Sequence, residues 1–193
     1  MTRFVEESIA RAGLSPVLSA RRSGDVDTVR ATVTSWGATD LLALGAVADM
    51  VRTDDVGATV RIHEGAAEGS EVTWVDLSAG TSELDFLRAV AIARIAARKG
   101  ARIGVDWTKC GMELAQVALG FGASELRGPM VRKSGLPILE GEKLKLKGQG
   151  MVELRSIKKR ELATLVSHAG RSAVFVDEAP TPRESSKEEV AGV

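Results

Sequence analysis

The chain has 193 residues, room for one domain or little more at roughly 150 residues each. Its 26 Lys and Arg balance 26 Asp and Glu, so the basic excess typical of nucleic-acid binding is absent and no such partner is expected. Hydrophobic residues make up 44% but aromatics only 4%, with no tyrosine, so the core must be built from Ala, Val, Leu and Ile.

No apolar run approaches the roughly 18 residues of a membrane span. The start, Met1-Thr2-Arg3-Phe4-Val5-Glu6-Glu7, turns acidic where a secretory leader would be apolar. A cytoplasmic location is therefore expected, with no membrane partner. The single Cys110 excludes an internal disulfide framework and a multi-thiolate metal site within one chain.

Residues 1–37 read as an N-terminal helical segment of two short helices. Thr2 can cap the first, with Val5, Ile9 and Ala12 on one face and Gly13 as its stop. The second follows Asp25 and carries Val26, Val29, Val33 and Trp36. Asp40 opens a clearer helix to Arg52, with Leu41, Leu44, Ala48 and Val51 at helical spacing. Arg52 falls in its last predicted turn, where a cation suits the helix dipole.

The period changes from residue 58. Ala58 to His63 and Glu71 to Leu77 are short, rich in Val, Ile and Trp, and read as strands. The longest predicted helix runs from Glu83 to Lys99, with Ser82 as N-cap, Asp85 standing in for the capping-box carboxylate and Gly100 at C′. Leu84, Leu87, Ala91 and Ile95 form one face; Phe86, Val90 and Ala97 form a second that needs its own cover. A strand from Arg102 to Trp107, a helix from Met112 to Leu119 and a strand from Glu125 to Val131 follow. Alternation of strands and helices implies a parallel α/β sheet.

Leu136 to Arg155 is punctuated by Gly and Lys and reads as a hairpin with one wet face. A helix from Lys158 to Ala169 and a strand from Ser172 to Val176 complete the α/β domain, residues 38–177. Residues 178–193 are polar and Pro-bearing and read as a disordered tail.

Catalytic signatures are scarce. His63 ends a strand beside Glu64, which allows a His–carboxylate pair or a structural strand-end His. His168, just before the helix-ending Gly170, reads as a cation near a helix C-terminus. Cys110, in Lys109-Cys110-Gly111, lies near a helix start beside a Lys but has no His nearby, so an inert, buried thiol is expected. Gly120-Phe121-Gly122 lacks the third Gly of a dinucleotide fingerprint, and no P-loop is present.

Ligands of parallel α/β sheets meet the carboxyl ends of the strands. The residues expected there are Asp76, Ser78 and Thr81 after one strand, Asp106, Trp107 and Thr108 after the next, and Glu125, Arg127 and Met130 on the third; Asp76, Ser78, Asp106, Trp107, Glu125 and Arg127 are the six candidate ligand contacts. Two carboxylates, an indole for stacking and an Arg at neighbouring strand ends could line a small polar pocket; alternatively Asp76 and Asp106 only cap loops or helix starts.

Several stretches carry a resemblance. Asp40 through Arg52 resembles the helix before the first barrel strand of the radical S-adenosylmethionine enzymes of menaquinone biosynthesis by the futalosine route, aminofutalosine synthase and dehypoxanthine futalosine cyclase. Leu87 through Ile95 resembles a late barrel helix of that family. Trp107 with Gly111 through Ala123 resembles its next strand and helix, and Glu161 through Arg171 its C-terminal helix and exit. These stretches cover about half the chain, in the family's order.

The departures are specific. The family holds a four-iron cluster on C-x3-C-x2-C after its first strand, where this chain reads His63-Glu64-Gly65. One cysteine cannot supply three thiolates, so the resemblance implies a chain without cluster or cofactor. Ala66 to Gly69 replaces several of the family's strand–helix units. Where the family reads G-A-D-D-L-D-G-T, this chain reads Gly122-Ala123-Ser124-Glu125-Leu126-Arg127-Gly128-Pro129.

The expected architecture is thus a partial (β/α) barrel-like parallel sheet with a C-terminal hairpin–helix–strand extension. The expected role is that of a non-catalytic pseudoenzyme acting as partner, scaffold or regulatory subunit. Its open edges imply a homodimer or association with a radical S-adenosylmethionine enzyme of the same pathway. The alternative is a binding or enzymatic domain whose strand-end pocket takes a nucleoside-like or aromatic carboxylate ligand.

Overall fold

The computed structural model describes residues 3–64, 71–131 and 157–176. It opens with three short helices, α1 (Arg3–Arg11), α2 (Ser15–Ser23) and α3 (Val26–Thr32), and a 3-10 stretch over Val33–Ala38. Periodicity predicts only two helices here. The additional one, α2, carries Pro16 in its first turn, where a missing N–H costs nothing, and buries Val17, Leu18 and Arg21.

Helix α4 (Leu41–Val56) starts where expected, the Asp40 carboxylate accepting from the Ala43 amide at 2.8 Å. It runs a turn past Arg52, so that residue is not an exposed cation at the helix end. Arg52 is buried and folds along the last turn, donating to Asp49 at 2.9 Å, to Thr53 at 2.9 Å and to the carbonyl of Gly57. Its guanidinium satisfies a carbonyl left over beyond the helix.

Strands β1 (Thr59–Glu64) and β2 (Val72–Val75) follow, then α5 (Glu83–Ala96) and β3 (Arg102–Asp106). Ser82 caps α5 by accepting from the Asp85 amide at 3.1 Å. That helix ends before Lys99; Ala97 is already extended, and Gly100 serves the turn into β3. A single turn α6 (Trp107–Cys110), α7 (Met112–Leu119) and β4 (Glu125–Gly128) come next. The expected strand from Glu125 to Val131 breaks at Pro129, which has no N–H for a ladder. Beyond it β5 (Met130–Val131) pairs instead with β6 (Ile157–Lys158). Helix α8 (Lys159–His168) and β7 (Ser172–Val176) complete the described chain.

The main sheet is wholly parallel, in the order β2-β3-β4-β1-β7. Strand β4 returns to the first strand, Arg61 beside Glu125, and β7 takes the other side of β1, Thr59 beside Ser172. Strand β7 therefore belongs to the main sheet and not to a separate extension. The expected hairpin, the joining segment 66–69 and the tail 178–193 lie outside the described residues.

The two faces of the sheet differ. Val60, Ile62, Ile103, Val105 and Leu126 are buried in one core with residues of α1 through α5 and α7. Period-two alternation puts Arg61, His63, Trp74, Arg102, Asp106, Glu125 and Arg127 on the opposite face. Helices cover the apolar face and the other is charged, which is why these parallel strands are not continuous hydrophobic runs. Phe86 and Val90, the second face of α5, are buried, with α3, α4 and the 3-10 stretch all packed on that helix. Its own chain covers that face, so it gives no ground for a dimer. Leu84, expected inward, is exposed. Among the described residues no helix is long and apolar enough to cross a membrane.

Candidate functional site

The charged face is ordered in rows by the strand register. One row brings His63, Arg127 and Asp106 side by side on β1, β4 and β3. Arg127 Nε donates to Asp106 Oδ2 at 2.9 Å, and its Nη2 lies 3.9 Å from Asp76 Oδ1. Its guanidinium carbon sits 4.3 Å from the centroid of the Trp74 ring, a cation–π contact. Trp74 can lie flat because its neighbour in register is Gly104; a Cβ there would come within 2.5 Å of the indole.

Asp106 ends β3 and caps α6, accepting from the Thr108 amide at 2.9 Å and the Thr108 hydroxyl at 2.6 Å. Burial pushes its pKa up, but the Thr108 hydrogen bonds and Arg127 outweigh burial and hold it below the ordinary value of 3.8. With a depressed folded value, its contribution to stability is complete above the unfolded pKa and is lost only as pH falls through the folded one. Asp106 is therefore ionised throughout the physiological range. Lys109 Nζ lies 2.6 Å from Asp76 Oδ2, so Asp76, Asp106, Lys109 and Arg127 form a charge-balanced set.

Above this set opens a cleft of about 460 Å³, lined by Glu64, Asp106, Thr108, Arg127, Gly128, Pro129 and Met130. It lies at the carboxyl ends of β1, β3 and β4, where parallel sheets bind ligands, and has the size of a small-molecule pocket.

The structure brings three of the six sequence-predicted residues together: Asp76, Asp106 and Arg127. Ser78 lies beyond Asp76 in an exposed turn, its carbonyl accepting from Thr81 at 3.1 Å. Trp107 is not a stacking face. The cap at Asp106 turns the chain so that residue 107 points inward, and it is only 5% exposed. Its ring lies against Gly128, where a Cβ would approach within 2.1 Å. The stacking indole is Trp74, two residues before Asp76 and on its face by alternation.

Glu125 is not at a strand end either. It is the first residue of β4 and wholly buried one row below the cleft. His63 Nε2 lies 2.6 Å from Glu125 Oε2, and Arg102 donates to Oε1 at 2.8 Å. His63 thus pairs across the sheet with Glu125, not with its neighbour Glu64. Sequence reasoning missed Trp74 and Lys109; the alternation of Trp74 with Asp76 was the available signal.

Cys110 Sγ lies 3.2 Å from the Asp106 carbonyl oxygen. Burial, and then the Asp106 charge, push its pKa from 9.0 up to about 11, the reverse of an activated thiol. Native Cys110 should therefore react with iodoacetamide at neutral pH roughly a hundredfold more slowly than free cysteine, as the thiolate fraction requires. Mass spectrometry of timed samples checks this; labelling as fast as free cysteine would contradict it. Among the described residues no three His, Cys, Asp or Glu side chains come together to hold a metal ion. No protein-family model and no curated protein matches this sequence.

Proposed function

We propose that this chain is a non-catalytic small-molecule-binding domain whose ligand sits in the strand-end cleft above Arg127 and Asp106. The observation that carries the reading is the convergence of Asp76, Asp106 and Arg127, from three strands' ends, beside a cleft of ligand size. Charge balance selects the ligand class. Arg127 is already matched by Asp106, so an aromatic carboxylate gains little there. Neutral hydroxyls can donate to the carboxylates of Asp106 and Glu64, while Pro129 and Met130 offer apolar surface to a flat ring. A nucleoside-like ligand meets both demands.

Titration calorimetry with nucleosides tests this, with benzoate as the competing class. A nucleoside should bind saturably and benzoate should not. Asp106→Asn should weaken the nucleoside about tenfold, the scale of one hydrogen bond to a charged group. Absence of nucleoside binding at millimolar concentration, or an unaffected Asn variant, would overturn the reading.

A second reading is that of a cluster-less relative of the futalosine-route radical enzymes, serving as their partner or scaffold. It is favoured by one feature of the sheet. Pairing of β4 with β1 is the relation between last and first strands of a closed (β/α) barrel. Strands β2, β3, β4 and β1 would then be an arc of such a ring, with β2 and β7 as open edges for a second copy or a full-length enzyme.

A further inference from the structure

We propose that the charged face of the sheet holds a second, independent binding site, for a phosphate group held between Arg61 and Arg102. Arg61 on β1 and Arg102 on β3 flank Glu125 on the strand between them. Both guanidinium groups reach that one carboxylate, Arg102 Nη1 at 2.8 Å from Oε1 and Arg61 Nε at 3.8 Å from Oε2. Among the described residues two cations thus face a single wholly buried anion, and one positive charge is left unmatched.

The donors are available as well as the charge. A guanidinium carries five N–H groups in a planar fork. Arg61 makes no hydrogen bond within the described residues beyond its long ion pair, and Arg102 uses one nitrogen. Their side chains are 31% and 37% exposed, so the unused edges reach solvent. On the far side of Arg61 the face continues to Val174, its register neighbour on β7, which is 47% exposed. Glu125 holds both guanidiniums in place from beneath without consuming their outward donors. Paired, pre-positioned forks match the oxygens of a phosphate.

The site is separate from the cleft. Asp106 and Arg127 lie two residues further along their strands than Gly104 and Glu125, roughly 7 Å at the rise of a strand. Trp74 is beside Gly104 in the lower row, with Arg127 of the upper row stacked on it and His63 against it at a centroid distance of 5.6 Å. The proposal does not depend on what the cleft binds.

The test is calorimetric titration of the full chain with inorganic phosphate at fixed ionic strength. Saturable binding is expected, weakened about tenfold by Arg61→Gln and partly restored in Arg61→Lys, which keeps the charge but loses the fork. Arg61→Gln removes only the 3.8 Å pair, and circular dichroism confirms its fold. Arg22→Gln makes the same charge change at the exposed Arg22–Asp54 pair and should leave binding unchanged. Ribose 5-phosphate binding more tightly than phosphate would assign the site to phosphate esters; equal binding would assign it to the free ion. Non-saturable binding, equal affinity in Arg61→Gln, or equal weakening by Arg22→Gln would overturn the proposal.

Discussion

Replacing Arg94 with Ala should destabilise the chain by roughly 3–5 kcal/mol, the combined cost of a cavity and of buried acceptors left unpaired. Arg94 is wholly buried on α5 and joins two separate parts of the fold through three acceptors. It donates to the Gly122 carbonyl at 2.8 Å, to the Ala101 carbonyl at 2.5 Å and to the Ser124 hydroxyl at 2.9 Å. These acceptors lie in the turn after α5 and in the loop leading into β4. Burial lowers the Arg94 pKa to about 10, with Asp55 opposing the shift, so the guanidinium stays charged at neutral pH. Truncation leaves three acceptors without a donor and opens a cavity beside α5. Arg94→Met keeps most of the stem and should recover part of the loss. Urea unfolding followed by circular dichroism measures both, and a loss under about 1 kcal/mol for Ala would contradict this role.

The second large effect is expected at Glu125. Its carboxylate accepts from Arg102, pairs with His63 and attracts Arg61, all on one sheet face. Glu125→Ala should cost about 3–5 kcal/mol, because removing one partner strands the other charges. Glu125→Gln should cost less, since its amide oxygen can still accept from Arg102. A double-mutant cycle with Arg61→Gln should show that the two losses do not add. Additive losses, or an Ala variant as stable as the wild type, would contradict the network.

What the sequence made legible follows from where its information is local. Met112–Leu119 and Ser172–Val176 match the predicted bounds, because Gly111 and Gly120 punctuate the helix and Gly170 marks the turn before the strand. Asp40 and Ser82 are readable as caps because a short polar side chain precedes an apolar period. The parallel α/β class follows from the alternation of the two periods. What failed was mostly tertiary. Helix α4 passes Arg52 because that side chain finds carbonyl and hydroxyl partners around the helix end. Pairings such as His63 with Glu125, or Arg171 with Asp49 at 2.5 Å, join residues far apart in sequence and depend on register. Glu125 begins β4 at the predicted residue and so stands at the strand's amino end, a row below the cleft, while Trp107 is turned inward by the cap at Asp106. The cleft is half legible in sequence: Asp106 and Arg127 follow from the strand ends, whereas Glu64 in its lining and Trp74 beneath Arg127 depend on the register of β1 and β2.

The most direct test is chemical-shift mapping of isotope-labelled protein titrated with a nucleoside. Binding above Arg127 and Asp106 predicts saturable shifts concentrated at the amides of Glu64, Thr108, Gly128 and Met130, with the Trp74 indole N–H moving alongside. Saturable shifts confined to α1 through α3 or to the outer helices, or no shifts at millimolar nucleoside, would contradict it.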